Sequence, residues 1–170
     1  MQPSTLLTAV AAGAATAVLL TVAQPRALAH CEVPCGIYDD HARIDQMLED
    51  ATTVEKAVAQ ILELNGRTDA LSLNQLTRWI NNKEVHATKI QDTIAQYFLN
   101  QRVKPARQGT QAWNDYVMKL VQHHSVMVAA MKTKQTVDPQ RVVALRATIE
   151  AISVYYPSTH SHSTTAPQRR

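Results

Sequence analysis

The chain has only two cysteines, Cys31 and Cys35, and His30 stands directly before the first. Upstream, residues 6–23 carry no charge, Gln24-Pro25 breaks the run, and Ala27-Leu28-Ala29 puts small residues at the last and third-last positions before a cut. This is the pattern of an export signal. The run is also long enough for an uncleaved anchor, and no Lys or Arg precedes it, but its Ala, Gly and Thr content favours a cleaved signal. Cleavage after Ala29 makes His30 the N-terminus. Its α-amine, the Cys31 amide nitrogen and the Cys31 thiolate then follow one another along the backbone, so one cation can be held by all three in small fused chelate rings. Cys35 closes the plane, and the His30 imidazole is close enough to cap it from one side. Pro34, with its fixed φ, and Gly36, which tolerates unusual φ, prepare the turn between the two sulfurs.

Two nitrogens and two sulfurs in a plane suit Ni(II) or Cu(II), whereas tetrahedral zinc does not require the backbone amide. Thiolates tend to reduce Cu(II), so nickel fits best. A deprotonated amide and two thiolates stabilise the higher oxidation state, and an axial imidazole favours Ni(III), which together describe a one-electron Ni(II)/Ni(III) centre. The plain alternative in an exported protein is a Cys31–Cys35 disulfide, but a bridge over so few residues closes a tiny loop and staples nothing. Haem attachment needs C-x-x-C-H, whereas three residues separate these cysteines and Gly36 follows the second.

The elements that position this N-terminus are helical. At 170 residues, 45% hydrophobic and 18% charged with 4 Gly and 7 Pro, the chain suits one helix-rich domain after the signal. Its net charge is +3, from 17 Lys+Arg against 14 Asp+Glu, and no basic run exceeds two residues. That argues against a nucleic-acid partner while leaving a mild attraction for small anions. Ile44, Met47, Leu48, Ala51, Val54, Val58, Ile61 and Leu62 recur three and four apart, predicting a helix that opens near Asp39 or Asp40 and stops at Asn65-Gly66. A second stripe of Leu73, Leu76, Ile80, Ala87, Ile90, Ile94, Tyr97 and Phe98 predicts a helix of about 30 residues, with Ser72 as N-cap and a break at Asn81-Asn82 as its risk. The third carries Trp113, Tyr116, Val117, Leu120, Val121, His124, Met127, Val128 and Met131, with Met127 and Met131 read as core filling. The fourth starts at Asp138-Pro139 and aligns Val142, Leu145, Ile149, Ile152 and Tyr156. Short connections make neighbours antiparallel, so the expected fold is an all-α, up-down four-helix bundle over 39–156 with a short N-terminal metal-binding hook, 30–38. Residues 157–170 read as a disordered tail whose His160-Ser161-His162 has no assigned chemistry. His124 reads as a core or interface histidine; His41, His86 and His123 read as surface or inter-subunit residues.

The run His30-Cys31-Glu32-Val33-Pro34-Cys35-Gly36-Ile37-Tyr38 resembles the nickel hook, H-C-x-x-P-C-G-x-Y, of nickel-containing superoxide dismutases. The likeness continues through Asp39-Asp40-His41-Ala42-Arg43, Arg78-Trp79, Asn82-Lys83-Glu84, Tyr97-Phe98, Lys104-Pro105 and His123-His124 to Tyr155-Tyr156-Pro157. The resemblance implies a four-helix subunit, a homohexamer, one nickel ion per subunit, and conversion of superoxide to dioxygen and hydrogen peroxide. It implies that His30, Cys31 and Cys35 are the metal ligands and that Tyr38 stands over the open face of the metal. Asp45 is the expected carboxylate beside the His30 imidazole, Asn82 and Lys83 stand where the family supplies a cation, and Tyr97 is a further candidate around the site. The expected partners are superoxide and an N-terminal processing peptidase, with no membrane attachment after cleavage. The compartment reads as exported: periplasm, cell exterior or thylakoid lumen. An exported nickel or copper carrier without turnover uses the same donors and is the competing function; a bundle with an incidental disulfide is the third.

Overall fold

The structure, a computed structural model, describes residues 39–158. The export signal, the hook residues His30, Cys31, Cys35 and Tyr38, and the tail beyond 158 lie outside the described residues.

Four helices build the described part. Helix α1 spans Asp40–Glu63, and Asp39 caps it, its Oδ1 accepting from the His41 amide at 2.9 Å and the Ala42 amide at 3.4 Å. Gly66, at φ 79°, turns the chain out of its end in a conformation that favours glycine. Helix α2 spans Ala70–Asp92 and continues without a break into a π-helical stretch, Thr93–Arg102. It is capped by Asp69, not Ser72: the Asp69 carboxylate accepts from the Ser72 amide at 2.9 Å, and Ser72 itself is buried within the first turn. The Ser72 hydroxyl first and its amide second hold the Asp69 carboxyl below its ordinary range. Nor does the helix break at Asn81-Asn82; its irregularity comes later, in the π winding. Helix α3 spans Gln111–Lys134 behind a Thr110 cap, and α4 spans Pro139–Ser153 with Asp138 as N-cap and Pro139 in the first turn.

Each helix packs on its neighbours in sequence, and α1 closes the ring against α4. Side-chain pairs show the alternation of direction. Asp50 meets His86 and Asp40 meets Tyr97 between α1 and α2, while Lys83 meets Thr133 and Gln91 meets Met127 between α2 and α3. Arg146 meets Thr52 across α1 and α4. The fold is therefore the expected all-α, up-down bundle. Its main core joins Ile44, Met47, Ile90, Ile94, Phe98, Val126, Leu145, Ile149, Ile152 and Tyr156; a smaller set joins Val54, Val58, Ala87 and Val142.

The apolar stripes of α1 and α4 are buried as predicted, except that Leu48 is half-buried and Leu62 exposed. On α2, Leu73 and Ile80 are exposed, and the stripe reaches the core only from Ala87 onward. The largest correction is on α3. The buried face is His123, Val126, Ala129, Ala130 and Thr133, one position off the predicted stripe, leaving Val117, Val121, His124 and Met131 exposed. Met131 is accordingly not core filling. Large apolar residues run round most of α3, so hydrophobicity alone did not select a face. Ala129 and Ala130 let the neighbouring helices approach closely, and His123 and Thr133 find partners there. Among the described residues, no helix is long and apolar enough to cross a membrane.

Candidate metal centre

The residues expected to ligate the metal, His30, Cys31 and Cys35, and the expected Tyr38, lie just before the described residues, so what can be built is the part of the bundle that follows them. Four residues separate Cys35 from Asp40, and the five Cα-to-Cα steps reach at most about 17 Å. Among the described residues, no group of three His, Cys, Asp or Glu side chains could hold a metal ion.

Asp40, the first residue of α1, is the hub of this end of the bundle. Its Oδ1 accepts from the Tyr97 hydroxyl at 2.5 Å and its Oδ2 from the Arg102 guanidinium at 2.5 Å. The π winding makes this arrangement: residues five apart lie about 140° apart on an α-helix but about 50° apart where i→i+5 bonding sets about 4.4 residues per turn. The bond from the Val103 amide to the Phe98 carbonyl, 2.9 Å, has that spacing. Tyr97 and Arg102 thus project from the same side and share one carboxylate. Partial burial, reinforced by the Asp40 hydrogen bond and charge, pushes the Tyr97 phenol up to about 12, so it stays a proton donor through the neutral range.

His41 sits beside this hub. Its Nδ1 is 2.8 Å from the Tyr156 carbonyl, which can only accept, so Nδ1 carries a proton. Its Nε2 lies 3.7 Å from Asp45 Oδ1. Asp45, the carboxylate expected beside the His30 imidazole, is 61% exposed in its side chain and faces this histidine one turn away. Tyr97, the other residue expected around the site, has its phenol at the point where the chain leaves the hook.

Asn82 and Lys83, which stand where the family supplies a cation, are engaged elsewhere. Lys83 is buried, and its Nζ donates to the Thr133 and Lys134 carbonyls at 3.0 and 2.6 Å, closing the C-terminus of α3. Along α2 it lies fourteen residues from Tyr97, about 21 Å at about 1.5 Å per residue. Asn82 lines an exposed groove with Glu49, Thr52, Lys56 and Trp79. A guanidinium that does meet Asp40 at the hook end is that of Arg102, which the periodicity gave no reason to place there because the π winding shifts its phase.

Two histidines exchange the places predicted for them. His123 is buried and His124 exposed, while His86 is half-buried with Nδ1 2.6 Å from the carboxylate of the buried Asp50. Within that buried setting, His123 is held below its ordinary range by desolvation.

Comparison with curated proteins and with solved structures returns no match. Comparison with protein families matches residues 25–160, most of the chain, to nickel-containing superoxide dismutase. With its hook sequence leading into a four-helix bundle, the chain belongs to the nickel-containing superoxide dismutase family, oxidoreductases whose cofactor is nickel.

Proposed function

We propose that the chain dismutates superoxide at a nickel ion held by its own processed N-terminus, with the His30 α-amine and imidazole, the Cys31 amide nitrogen and thiolate, and the Cys35 thiolate as the donor set. The observation that carries this reading is contiguity. The family match includes all of residues 30–38, and Asp39, the next residue in sequence, caps the N-terminus of α1. The donor set fits nickel chemically: two thiolates and an amide nitrogen favour a planar, strongly donated ion. When bound, nickel supplies a one-electron Ni(II)/Ni(III) couple.

The protein's own groups set the conditions for that chemistry. Tyr38, two residues before Asp40, restricts and orders what approaches the open face. Tyr97, held protonated against Asp40, presents a fixed hydroxyl where the hook joins the bundle. Arg102 pairs with the Asp40 carboxylate, so that carboxylate opposes the approach of a small anion such as superoxide less than an unpaired one would. Asp45 is assigned to orient the His30 imidazole. The α-amine becomes a ligand only after residues 1–29 are removed, so a processing peptidase and an exported location belong to the same reading. Val117, Met118, Val121 and Met131 leave an apolar face on α3 uncovered within one subunit, which supports assembly into a homohexamer.

The test compares a chain beginning at His30 with one carrying a single extra Met before it, both loaded with nickel under reducing conditions. Superoxide decay is expected to be accelerated only by the His30 chain. Equal rates would remove the α-amine from the site, and nickel binding without acceleration in either chain would make the protein a carrier.

A further inference from the structure

The core beneath the start of α1 contains a tyrosine and a histidine that the reading above does not use. Tyr156 and His123 are 7% and 0% exposed, and the Tyr156 hydroxyl lies 2.9 Å from His123 Nε2. On the other side of the imidazole, Nδ1 lies 2.7 Å from the Lys119 carbonyl oxygen. A carbonyl can only accept, so Nδ1 carries the ring proton, Nε2 offers its lone pair, and the phenol is the donor. Burial keeps the imidazole neutral and raises the phenol well above its usual range. An intact O–H therefore points at a vacant base inside the core.

Other rings flank the pair. The Phe98 ring centre is 4.5 Å from that of Tyr156, and the Tyr97 ring is 5.2 Å from Phe98. Tyr97 is the residue whose hydroxyl meets Asp40, so this series of rings runs from the hook end of the bundle into the core. On the far side, Tyr155 lies 6.3 Å from Tyr156, beneath the Lys119 ammonium. Removing an electron from a buried phenol is unfavourable when its proton has nowhere to go, because a phenol cation would be left in a medium that solvates charge poorly. An aligned, unprotonated acceptor at hydrogen-bond distance removes that obstacle.

We propose that Tyr156 and His123 form a proton-coupled redox site. A one-electron oxidant of the class of a high-potential metal complex, acting at the hook end, takes one electron from Tyr156 by way of the Tyr97 and Phe98 rings. As it leaves, the phenolic O–H bond breaks and the proton passes to His123 Nε2. The products are a neutral tyrosyl radical, an imidazolium beside it, and an oxidant reduced by one electron. Superoxide, the family's substrate, returns the electron and becomes dioxygen, while the proton moves back from Nε2 to the phenolic oxygen. Such a site draws oxidising equivalents away from thiolates near the N-terminus. It rests on the Tyr156–His123 pair and the rings beside it and uses no ligation by residues 30–38, so it stands or falls separately from the nickel-hook assignment.

The metal-free full chain is mixed with tris(bipyridine)ruthenium(II) and a sacrificial electron acceptor, flashed, and frozen for electron paramagnetic resonance. A persistent tyrosyl signal is expected, lost in Tyr156→Phe, retained in Tyr155→Phe, and formed more slowly in D2O than in H2O. Tyr156→Phe keeps the ring that packs on Phe98, and circular dichroism checks that the bundle is intact. His123→Phe, which removes the base, is expected to abolish the signal as well; if that variant fails to fold, the solvent isotope comparison on the unmodified chain tests the same proton transfer. A persistent signal unchanged in Tyr156→Phe, or formed equally fast in H2O and D2O, would overturn the proposal.

Discussion

Where α1 begins, polar groups meet as side chains: Asp40 receives Tyr97 and Arg102, and Tyr156 donates to His123. The surrounding core is large and aromatic, with Phe98 against both Tyr97 and Tyr156. In the half of the bundle around Val54, Val58, Ala87 and Val142, the core is small and aliphatic. There, Lys83 closes the carbonyl end of α3, and the buried Asp50 is bonded to His86 between α1 and α2. Both regions satisfy their polar groups, and among the described residues no buried side-chain polar atom lacks a partner. What differs is the consequence. Around Val54, each buried polar contact joins two helices or ends one, so its loss should appear as lost stability. Around Asp40, the contacts fix protonation states beside the hook, so their loss should appear in titration behaviour.

The largest effect expected from this contrast is in the first of these regions. His86→Ala leaves the Asp50 carboxylate, 4% exposed, without the imidazole that is 2.6 Å away. Breaking a buried pair on one side costs about 3–5 kcal/mol, and water reaching the partly exposed His86 position places this case near 3. Urea unfolding followed by circular dichroism is expected to show that loss, with much of it recovered in Asp50→Leu/His86→Leu, where no charge is left behind. A loss below about 0.5 kcal/mol, the range of an ordinary surface substitution, would mean that the pair does not hold α1 to α2.

How far this division was legible in the sequence depends on whether the deciding contact is local. The stripes of α1 and α4 could be read because their apolar residues are confined to one face, and Asp138-Pro139 marks a helix start by its own chemistry. The donor set proposed at residues 30–38 lies outside the described residues and rests on sequence alone, because chelation by adjacent backbone and side-chain atoms needs no tertiary partner. Asp69 was passed over for Ser72 although both are good caps, because the choice turns on where the preceding loop releases the chain. The face of α3 was misread because Val117, Val121 and Met131 are as apolar as anything that face buries, and a buried histidine looks polar until its two partners, Lys119 and Tyr156, are known. Arg102 could not be placed on Asp40 by any 3.6-residue pattern, since only the π winding turns it there.

An intermediate effect is expected at His123. Its folded value is lowered from 6.5, so below that pH the unfolded chain takes up a proton that the folded chain refuses. The unfolded state then binds more protons, and stability must fall as pH falls from about 6.5 toward the folded value, by at most about 1.4 kcal/mol per pH unit. Unfolding free energies measured between pH 7.5 and 5 are expected to show this slope, and His123→Gln, which has nothing to protonate, is expected to flatten it. The same slope in both chains would assign the acid sensitivity to other histidines.

The smallest effect on stability, and the sharpest test of the Asp40 region, is at Tyr97. Its phenol is pushed up to about 12, first by burial and then by Asp40, while Arg102 and, less strongly, Arg43 pull the other way. Asp40→Asn removes the carboxylate contributions, so absorbance at 295 nm should show one phenol moving down toward 10. Arg102→Gln removes the stronger opposing cation and should move it up. For stability, the sign follows from a folded value above the unfolded one. Tyr97 contributes fully below pH 10, and its contribution is lost as pH rises from 10 to about 12, so neutral stability stays nearly constant in both variants. Opposite shifts in the two variants would establish that one carboxylate and one guanidinium, brought together by five-residue winding, set the proton affinity of the hydroxyl at the hook. No shift in either variant would mean that burial alone sets it, and the contrast with the Val54 region would reduce to a difference in side-chain size.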